Sequence, residues 1–377
     1  MRSILICTVG TSLFGNIKNA KEPEEDIAAI KSALEQKNWN NIALLLLEQE
    51  NSSRICGAEI NSITSIYKKR LLVSKTRLIF LVSDTEDGKN TGQVLKLYYE
   101  NRRNDLNFDY VDYRVLTGLR DDNVKTFKQQ GLKNLVKEIS TEVRKFSSET
   151  IAINATGGYK AQISFAGMIG QALEIPVYYL FEKFSEVIEL PPQPVALDLA
   201  LWLNNYVLFE QLESENIVKK SEITESLENE YLSSLLDEEP EGETSLITLS
   251  AMGALFNERC RLQFAKQETS ILSVIPQDDT KPEQKNIHLR DDHGKDVLQR
   301  FSEKIRRSPY VKRIINSLPF NPKQINPILG TTSDGVIDFV LTWTDPGFGL
   351  CIQTTGRNKA ETNTIALHLV KEFAENN

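Results

Sequence analysis

Over its first 190 residues the chain alternates short, almost wholly apolar runs with stretches whose apolar residues recur at helical spacing. The runs are Ser3–Thr8, Ile42–Leu47, Thr76–Ser83, Tyr110–Leu116, Thr150–Ala155 and Val177–Phe181. Between them lie helical stretches at Glu24–Gln36, Arg54–Arg70, Thr91–Tyr99, Asn123–Phe146 and Ala161–Leu173. A strand without a polar face has to be covered on both sides, and the alternation supplies a helix for each crossover. The pattern predicts an α/β fold over residues 1–190: a mainly parallel, Rossmann-like sheet with right-handed connections. In such sheets ligands lie beyond the carboxyl ends of the strands. That rule places the loops Thr8–Asn16, Ser83–Gly92 and Asn154–Lys160 on the binding edge.

Pro191-Pro192-Gln193-Pro194 continues neither helix nor central strand and reads as a linker. Residues 195–265 then read as a helix (Ala196–Leu212), a second helix with Ser221 as N-cap (Ser221–Leu227) and a further turn or two (Glu230–Leu236). An acidic turn (Asp237–Glu243) and a β-run (Ser245–Leu249) complete the order of a winged helix. Residues 280–377 read as a small α+β unit. Its elements are a strand at Asn286–Arg290, helices at Gly294–Arg307 and Tyr310–Leu318, strands at Gln324–Leu329, Val336–Thr344 and Gly349–Thr355, and a closing helix at Ala360–Glu375. Asp345-Pro346-Gly347 is a turn signal for an antiparallel hairpin between the last two strands.

Composition narrows the function classes. The 377 residues are 40% apolar and 25% charged, as in globular chains of two or three domains. No stretch approaches the roughly 18–20 apolar residues of a membrane span. Met1-Arg2-Ser3 runs straight into Ile4-Leu5-Ile6-Cys7 without a cleavage region, so a cytoplasmic protein is expected. Cys7, Cys56, Cys260 and Cys351 are scattered, which supports neither a zinc site nor a disulfide framework, and three histidines are too few for an all-histidine metal centre. The net charge of −8 hides an asymmetry: residues 196–250 hold 13 acids against two lysines, while residues 285–323 hold ten Lys/Arg against four acids. The acidic middle opposes DNA binding, which needs a positive face to displace counterions.

Two loops carry ligand chemistry. In Thr8-Val9-Gly10-Thr11-Ser12, Gly10 permits close backbone approach, and Thr11 and Ser12 set hydroxyls beside exposed N–H groups. In Asn154-Ala155-Thr156-Gly157-Gly158-Tyr159-Lys160, two glycines lie between a strand and an electropositive helix start, and Lys160 adds a charge. The expected ligand-binding residues are therefore Gly10, Thr11, Ser12, Asn154, Thr156, Gly157, Gly158, Tyr159 and Lys160. Tyr159 has either a base to stack on or a neighbour to pack against. Neither a Walker Gly-Lys-Ser/Thr nor a Gly-x-Gly-x-x-Gly is present, which disfavours an NTPase and a dinucleotide enzyme.

The Thr-Val-Gly-Thr-Ser loop, followed about 145 residues later by Asn-Ala-Thr-Gly-Gly-Tyr-Lys, resembles the CRISPR-associated Rossmann-fold (CARF) sensor family over residues 1–190. That resemblance implies binding of a cyclic oligoadenylate from a type III CRISPR system across a homodimer axis. Four phosphates facing two copies of each loop suit cyclic tetra-adenylate as activator, with no other cofactor. Some members of the family cleave their ligand with a Ser or Thr of the first loop and a Lys of the second. Ser12 and Lys160 stand at those positions, and plain binding uses the same two residues.

For residues 280–377 three nuclease chemistries compare. A metal-dependent nuclease of the restriction-endonuclease fold needs an Asp on one strand and Asp/Glu-x-Lys on the next. Asp338 meets the first need, but the next strand reads Gln353-Thr354-Thr355. A HEPN ribonuclease needs Arg and His four to six residues apart on a helix, which neither Arg290–His293 nor Arg357–His368 provides. The order of elements, with Thr-Thr-Gly-Arg-Asn-Lys ending the last strand, resembles the RelE-type mRNA interferases. These cut RNA without metal, stabilising charge with Arg and Lys. The resemblance implies catalytic candidates Arg357, Lys359, His288, Arg290, His293 and Lys295. Arg306, Arg307, Lys312 and Arg313 read as a solvated basic face, and His368 as structural. Val336-Ile337-Asp338 stands where RelE proteins place a strand arginine.

CARF, winged-helix and RelE-like domains occur fused in a CRISPR-associated mRNA interferase. The resemblance implies a cyclic-oligoadenylate-activated, ribosome-dependent, metal-independent mRNA endonuclease, homodimeric through its sensor, with ribosome and mRNA as partners and no membrane. A ring nuclease degrading cyclic tetra-adenylate and a non-enzymatic transcriptional regulator are the alternatives.

Overall fold

β1 (Ile4–Thr8) is buried along its whole length and hydrogen-bonds in parallel on both sides, which makes it the centre of the N-terminal sheet. A computed structural model describes residues 2–20, 25–181, 183–193, 197–223, 227–242, 244–291, 294–321, 327–341 and 347–373. The expected features at Pro194, His293 and Asp345-Pro346 lie outside these residues, as do parts of the expected helix Ser221–Leu227 and of the strands Gln324–Leu329 and Val336–Thr344. The chain divides into two compact units, 1–196 and 197–377.

In the first unit β1 is followed by α1 (Ser12–Asn19), α2 (Glu25–Glu35), α3 (Trp39–Leu47), α4 (Gly57–Lys68), β2 (Arg77–Ser83), α5 (Glu86–Glu100) and β3 (Tyr110–Leu116). Then come α6 (Val124–Thr126), a π turn at Phe127–Gly131, α7 (Leu132–Phe146), β4 (Ile151–Asn154), α8 (Lys160–Ala172), β5 (Val177–Tyr179) and β6 (Ile188–Leu190). The sheet order is β3-β2-β1-β4-β5-β6. The first five strands are parallel and β6 returns antiparallel along β5. The mainly parallel α/β sheet expected from the alternation is present. Its direction of growth reverses between β1 and β4, so the crevice of the sheet opens there.

One expected strand is a helix. Ile42–Leu47 belongs to α3, whose buried Ile42, Ala43 and Leu46 follow helical spacing. Asn38 caps it by accepting from Asn41 N at 3.1 Å, and a leucine-rich run with a single β-branched residue favours that outcome. Two expected loops are shorter than their sequence suggests, since α1 begins at Ser12 and α5 at Glu86.

The second unit comprises α9 (Leu199–Asn204), α10 (Tyr206–Glu215), β7 (Val218–Lys219), α11 (Glu230–Ser234), β8 (Leu236–Glu241), β9 (Thr244–Leu249) and α12 (Ala251–Leu272). It continues with α13 (Lys295–Ile305), β10 (Val311–Ser317), β11 (Ile328–Thr331), β12 (Val336–Val340), β13 (Gly349–Thr354) and α14 (Lys359–Phe373). Its sheets are β7-β9-β8 and β10-β13-β12-β11, antiparallel throughout. The expected acidic turn is the edge strand β8, where Asp237 is buried while Glu238 and Glu241 are exposed, with Glu238 held by Lys220 at 2.9 Å. Among the described residues Ser221 caps no helix; it lies within a single 3-10 turn, Lys220–Glu222.

Tyr310–Leu318, expected as a helix, is the strand β10. Its buried residues Val311, Ile314 and Ser317 recur every three positions. Two irregularities in the pairing with β13, between Val311 and Arg313 and between Ile314 and Asn316, each insert a residue and convert an alternation of two into three. The expected strand Asn286–Arg290 is reduced to one parallel bridge, Ile287 to Ile314. One apolar cluster spans the segments 195–265 and 280–377, running from Trp202 in α9 through Phe264 in α12 and Phe339 in β12 to Leu369 in α14.

Candidate functional site

The two loops singled out in the sequence end the adjacent strands β1 and β4, at the switch point of the sheet. Thr11 and Ser12 are exposed and open α1, and Lys160 is exposed and opens α8. Two helix starts, two hydroxyls and an ammonium thus follow the ends of two adjacent strands, a setting that favours an anion. Beside them lies a cavity of about 400 Å³ whose walls include Ser12 and Thr156, the cations Arg54 and Lys68, and the rings of Phe181 and Phe184. Those two rings meet edge to face at 5.2 Å.

Other expected ligand residues face inward. Asn154 is 1% exposed and donates through Nδ2 to Ser62 Oγ on α4 at 2.8 Å. Thr156 Oγ1 donates to Asn154 Oδ1 at 2.7 Å and accepts from Leu180 N at 3.0 Å. The Gly10 N–H donates to Glu59 Oε1 at 2.8 Å. Thr8 Oγ1 donates to the Gly157 carbonyl, which ties the first loop to the second. Gly158 holds a φ of 111°, which favours glycine, and its N lies where a Cβ on Gly10 would press. Tyr159 packs its ring edge to face on Phe127 at 5.4 Å. Burial, with Asp121 nearby, raises its phenol above the usual range.

Glu59 escaped the sequence reading. It sits on α4 among Ile60, Ile63 and Ile66, fully buried, and burial pushes its carboxyl above the usual range against the pull of the Gly10 N–H. A carboxylate at helical spacing from Ile63 and Ile66 is the signal that marks it.

In the C-terminal unit the cations expected to share one site are divided. Arg357 and Lys359 follow the end of β13, where Thr354 pairs with Val311. Arg290 donates its N–H to Ser317 Oγ at 3.1 Å, beside the other end of β13, where Ser317 pairs with Leu350. Four strand residues, roughly 13 Å, separate these ends. His288 is exposed beside β10, its N–H on the Ile314 carbonyl at 3.2 Å, and Lys295 pairs with Asp291 at 3.1 Å. Arg357 is engaged by Glu361, with Nη2 to Oε1 at 2.7 Å and Nε to Oε2 at 3.0 Å. His368 bridges Glu268 at 3.0 Å and Glu372 at 3.3 Å. Asp338 lies opposite Cys351 and accepts from its thiol, while burial raises both groups, Cys351 to about 12. Lys285, part of the basic stretch, is buried with its ammonium on the Ser308 carbonyl at 3.0 Å. Among the described residues, no helix is long and apolar enough to cross a membrane.

Residues 54–193, from the start of α4 past the second loop, match the family described as CRISPR-associated protein (Cas_APE2256). Among solved structures, Can2 from Sulfobacillus thermosulfidooxidans in complex with cyclic tetra-adenylate (cA4) is similar at 11% identity and a TM-score of 0.24, over 83% of this chain and 86% of that one. Protein VC1899 from Vibrio cholerae is similar at 11% identity and a TM-score of 0.27, over 83% of this chain and 87% of that one.

Proposed function

We propose that the N-terminal unit binds a cyclic oligoadenylate at the β1/β4 switch point, in a CRISPR-associated role, and that the C-terminal unit is the effector it controls. The observation that carries this reading is the placement of Ser12 and Lys160. Each is exposed and opens a helix that follows one of two adjacent strands, and Ser12 lines a cavity of about 400 Å³. A polyanionic ring with aromatic bases is the chemistry such a crevice serves. The family match over residues 54–193 supports the CRISPR association.

Cyclic tetra-adenylate is the preferred ring, bound between two copies of the chain. Calorimetric titration with cyclic tetra- and hexa-adenylate tests this. One tetra-adenylate per two chains is the expected result, and no heat with either ring would sink the reading. Exposure of both Ser12 and Lys160 favours a second reading, ring cleavage, checked by chromatography of the ligand after incubation.

The winged-helix and RelE-like readings of the C-terminal unit, and messenger cleavage on the ribosome, are proposals that rest on the sequence resemblance. In that proposal Arg357 and Lys359 act at one end of β13, without the cations near Arg290. Translating ribosomes supplied with protein and cyclic tetra-adenylate test it. Intact messenger after activation would remove it.

A further inference from the structure

The N–H of Gly10 looks like a ligand donor in the sequence, yet in the fold Glu59 occupies it. Glu59 lies in the first turn of α4 and is 1% exposed. Its surroundings are the backbones of both loops. A Cβ on Gly157 would overlap Glu59 Oε1, and a Cβ on Gly10 would stand 2.9 Å from Gly158 N. Gly157 does not have a positive φ, so its missing side chain leaves room for the carboxyl and serves no unusual backbone conformation. The second carboxyl oxygen, Oε2, is buried without a hydrogen-bond partner among the described residues. One turn further along α4, Ser62 receives Asn154 from the end of β4. The helix therefore holds the first loop through Glu59 and the strand beneath the second loop through Ser62.

A buried carboxyl with one unsatisfied oxygen costs stability, and an apolar residue of similar size would avoid that cost. Apart from its own backbone N–H, the donor to Glu59 among the described residues is the Gly10 N–H, and that donor belongs to the ligand loop. We propose that Glu59 is a positioning residue: it draws the Gly10 backbone inward and sets the spacing of the two loops, so that Ser12 and Lys160 reach the same phosphate-bearing ligand. The inference rests on the cyclic-oligoadenylate reading of this crevice. It assigns ligand contact to the side chains of Ser12 and Lys160 and removes the Gly10 N–H from the contact set.

The test uses the full-length chain, with cyclic tetra-adenylate as probe, calorimetric affinity as the readout and a thermal melt of each variant alongside. Glu59→Gln keeps an acceptor of the same reach and is expected to bind within about two-fold of wild type. Glu59→Ala frees the loop and is expected to bind about ten-fold or more weakly, the effect of one lost hydrogen bond to a charged or buried group. Gly157→Ala drives a methyl into Glu59 Oε1 and is expected to weaken binding similarly; it carries the test alone if Glu59→Ala fails to fold. Wild-type affinity in both Glu59→Ala and Gly157→Ala overturns the proposal and leaves the ligand reading intact. So does a lowered melting temperature with unchanged affinity, which marks a purely structural role. Glu59→Gln as weak as Glu59→Ala overturns the tether. If wild type itself gives no heat, the ligand reading fails, and the proposal with it.

Discussion

Asn154 Nδ2 donates to Ser62 Oγ at 2.8 Å, so the polar group that ends β4 points at helix α4 and not into the open crevice. Asn154 is buried, and Thr156 completes the chain of bonds above it. Asn154→Ala is therefore expected to lower stability by about 1–3 kcal/mol, the cost of orphaning buried partners. Urea unfolding measures this.

Lys160→Ala is expected to do the reverse. Its ammonium is exposed, so stability should stay within roughly 0.5 kcal/mol of wild type. If the crevice binds cyclic tetra-adenylate as proposed, affinity for it should fall, and the remaining affinity should depend less on salt. Titrations at low and high ionic strength check both parts.

The carboxyl of Glu59 makes stability depend on pH with a definite sign. Burial raises it above the range of an exposed glutamate, so the unfolded chain gives up this proton more readily than the folded one. Its contribution is fully present below about pH 4.3 and is lost as the pH rises through the elevated folded value. Cys7 on β1 and Tyr99 on α5, the titratable neighbours, are themselves raised by burial and stay neutral over this range. Glu59→Gln lacks the dependence. The melting temperature of Glu59→Gln relative to wild type should rise as the pH climbs above about 4.3 and level off once the folded carboxyl has ionised; a flat difference would contradict the burial.

At the edge of the N-terminal sheet, Arg114 reaches Glu142 at 2.7 Å and Glu138 at 2.8 Å, and Glu142 is 2% exposed. Arg114→Ala leaves Glu142 with Arg77 at 3.8 Å as its remaining guanidinium. A loss of about 3 kcal/mol is expected, at the low end for a broken buried pair. The double change with Glu142→Ala should recover part of it, which denaturation of the full cycle measures.

Arg357 is exposed and held by Glu361. If it serves messenger cleavage, Arg357→Ala should abolish activated cleavage on ribosomes with little change in melting temperature. Cleavage at the wild-type rate would remove Arg357 from the catalytic set.

Much of the N-terminal unit was legible because strands buried on both faces leave unbroken apolar runs and strand-end glycines mark the crevice. Ile42–Leu47 misled because a short apolar run carries no period of its own, and Asn38 decides its fate as a helix cap. β10 misled because its bulges give a strand the spacing of a helix. The 22-residue α12 showed no clean stripe because its buried side carries Asn257, Glu258 and Glu268. Each of the three is accommodated by a distant or neighbouring partner: Asn257 by Trp202 at 2.7 Å and Glu213, Glu258 by Arg261 at 4.0 Å, Glu268 by Lys371 at 2.6 Å. At the site, the loops were legible and the direction of each side chain was not. Asn154 and Gly10 face inward because Ser62 and Glu59 on α4 receive them, a pairing across 92 and 49 positions that local spacing does not encode.

The apolar cluster shared from Trp202 to Leu369 bears on how the second half of this chain can be inherited or engineered. A cut between residues 265 and 280 would open that interior on both fragments, so neither would be a transplantable module. The C-terminal unit should melt in one cooperative step, and a lineage that gains or loses it should do so whole.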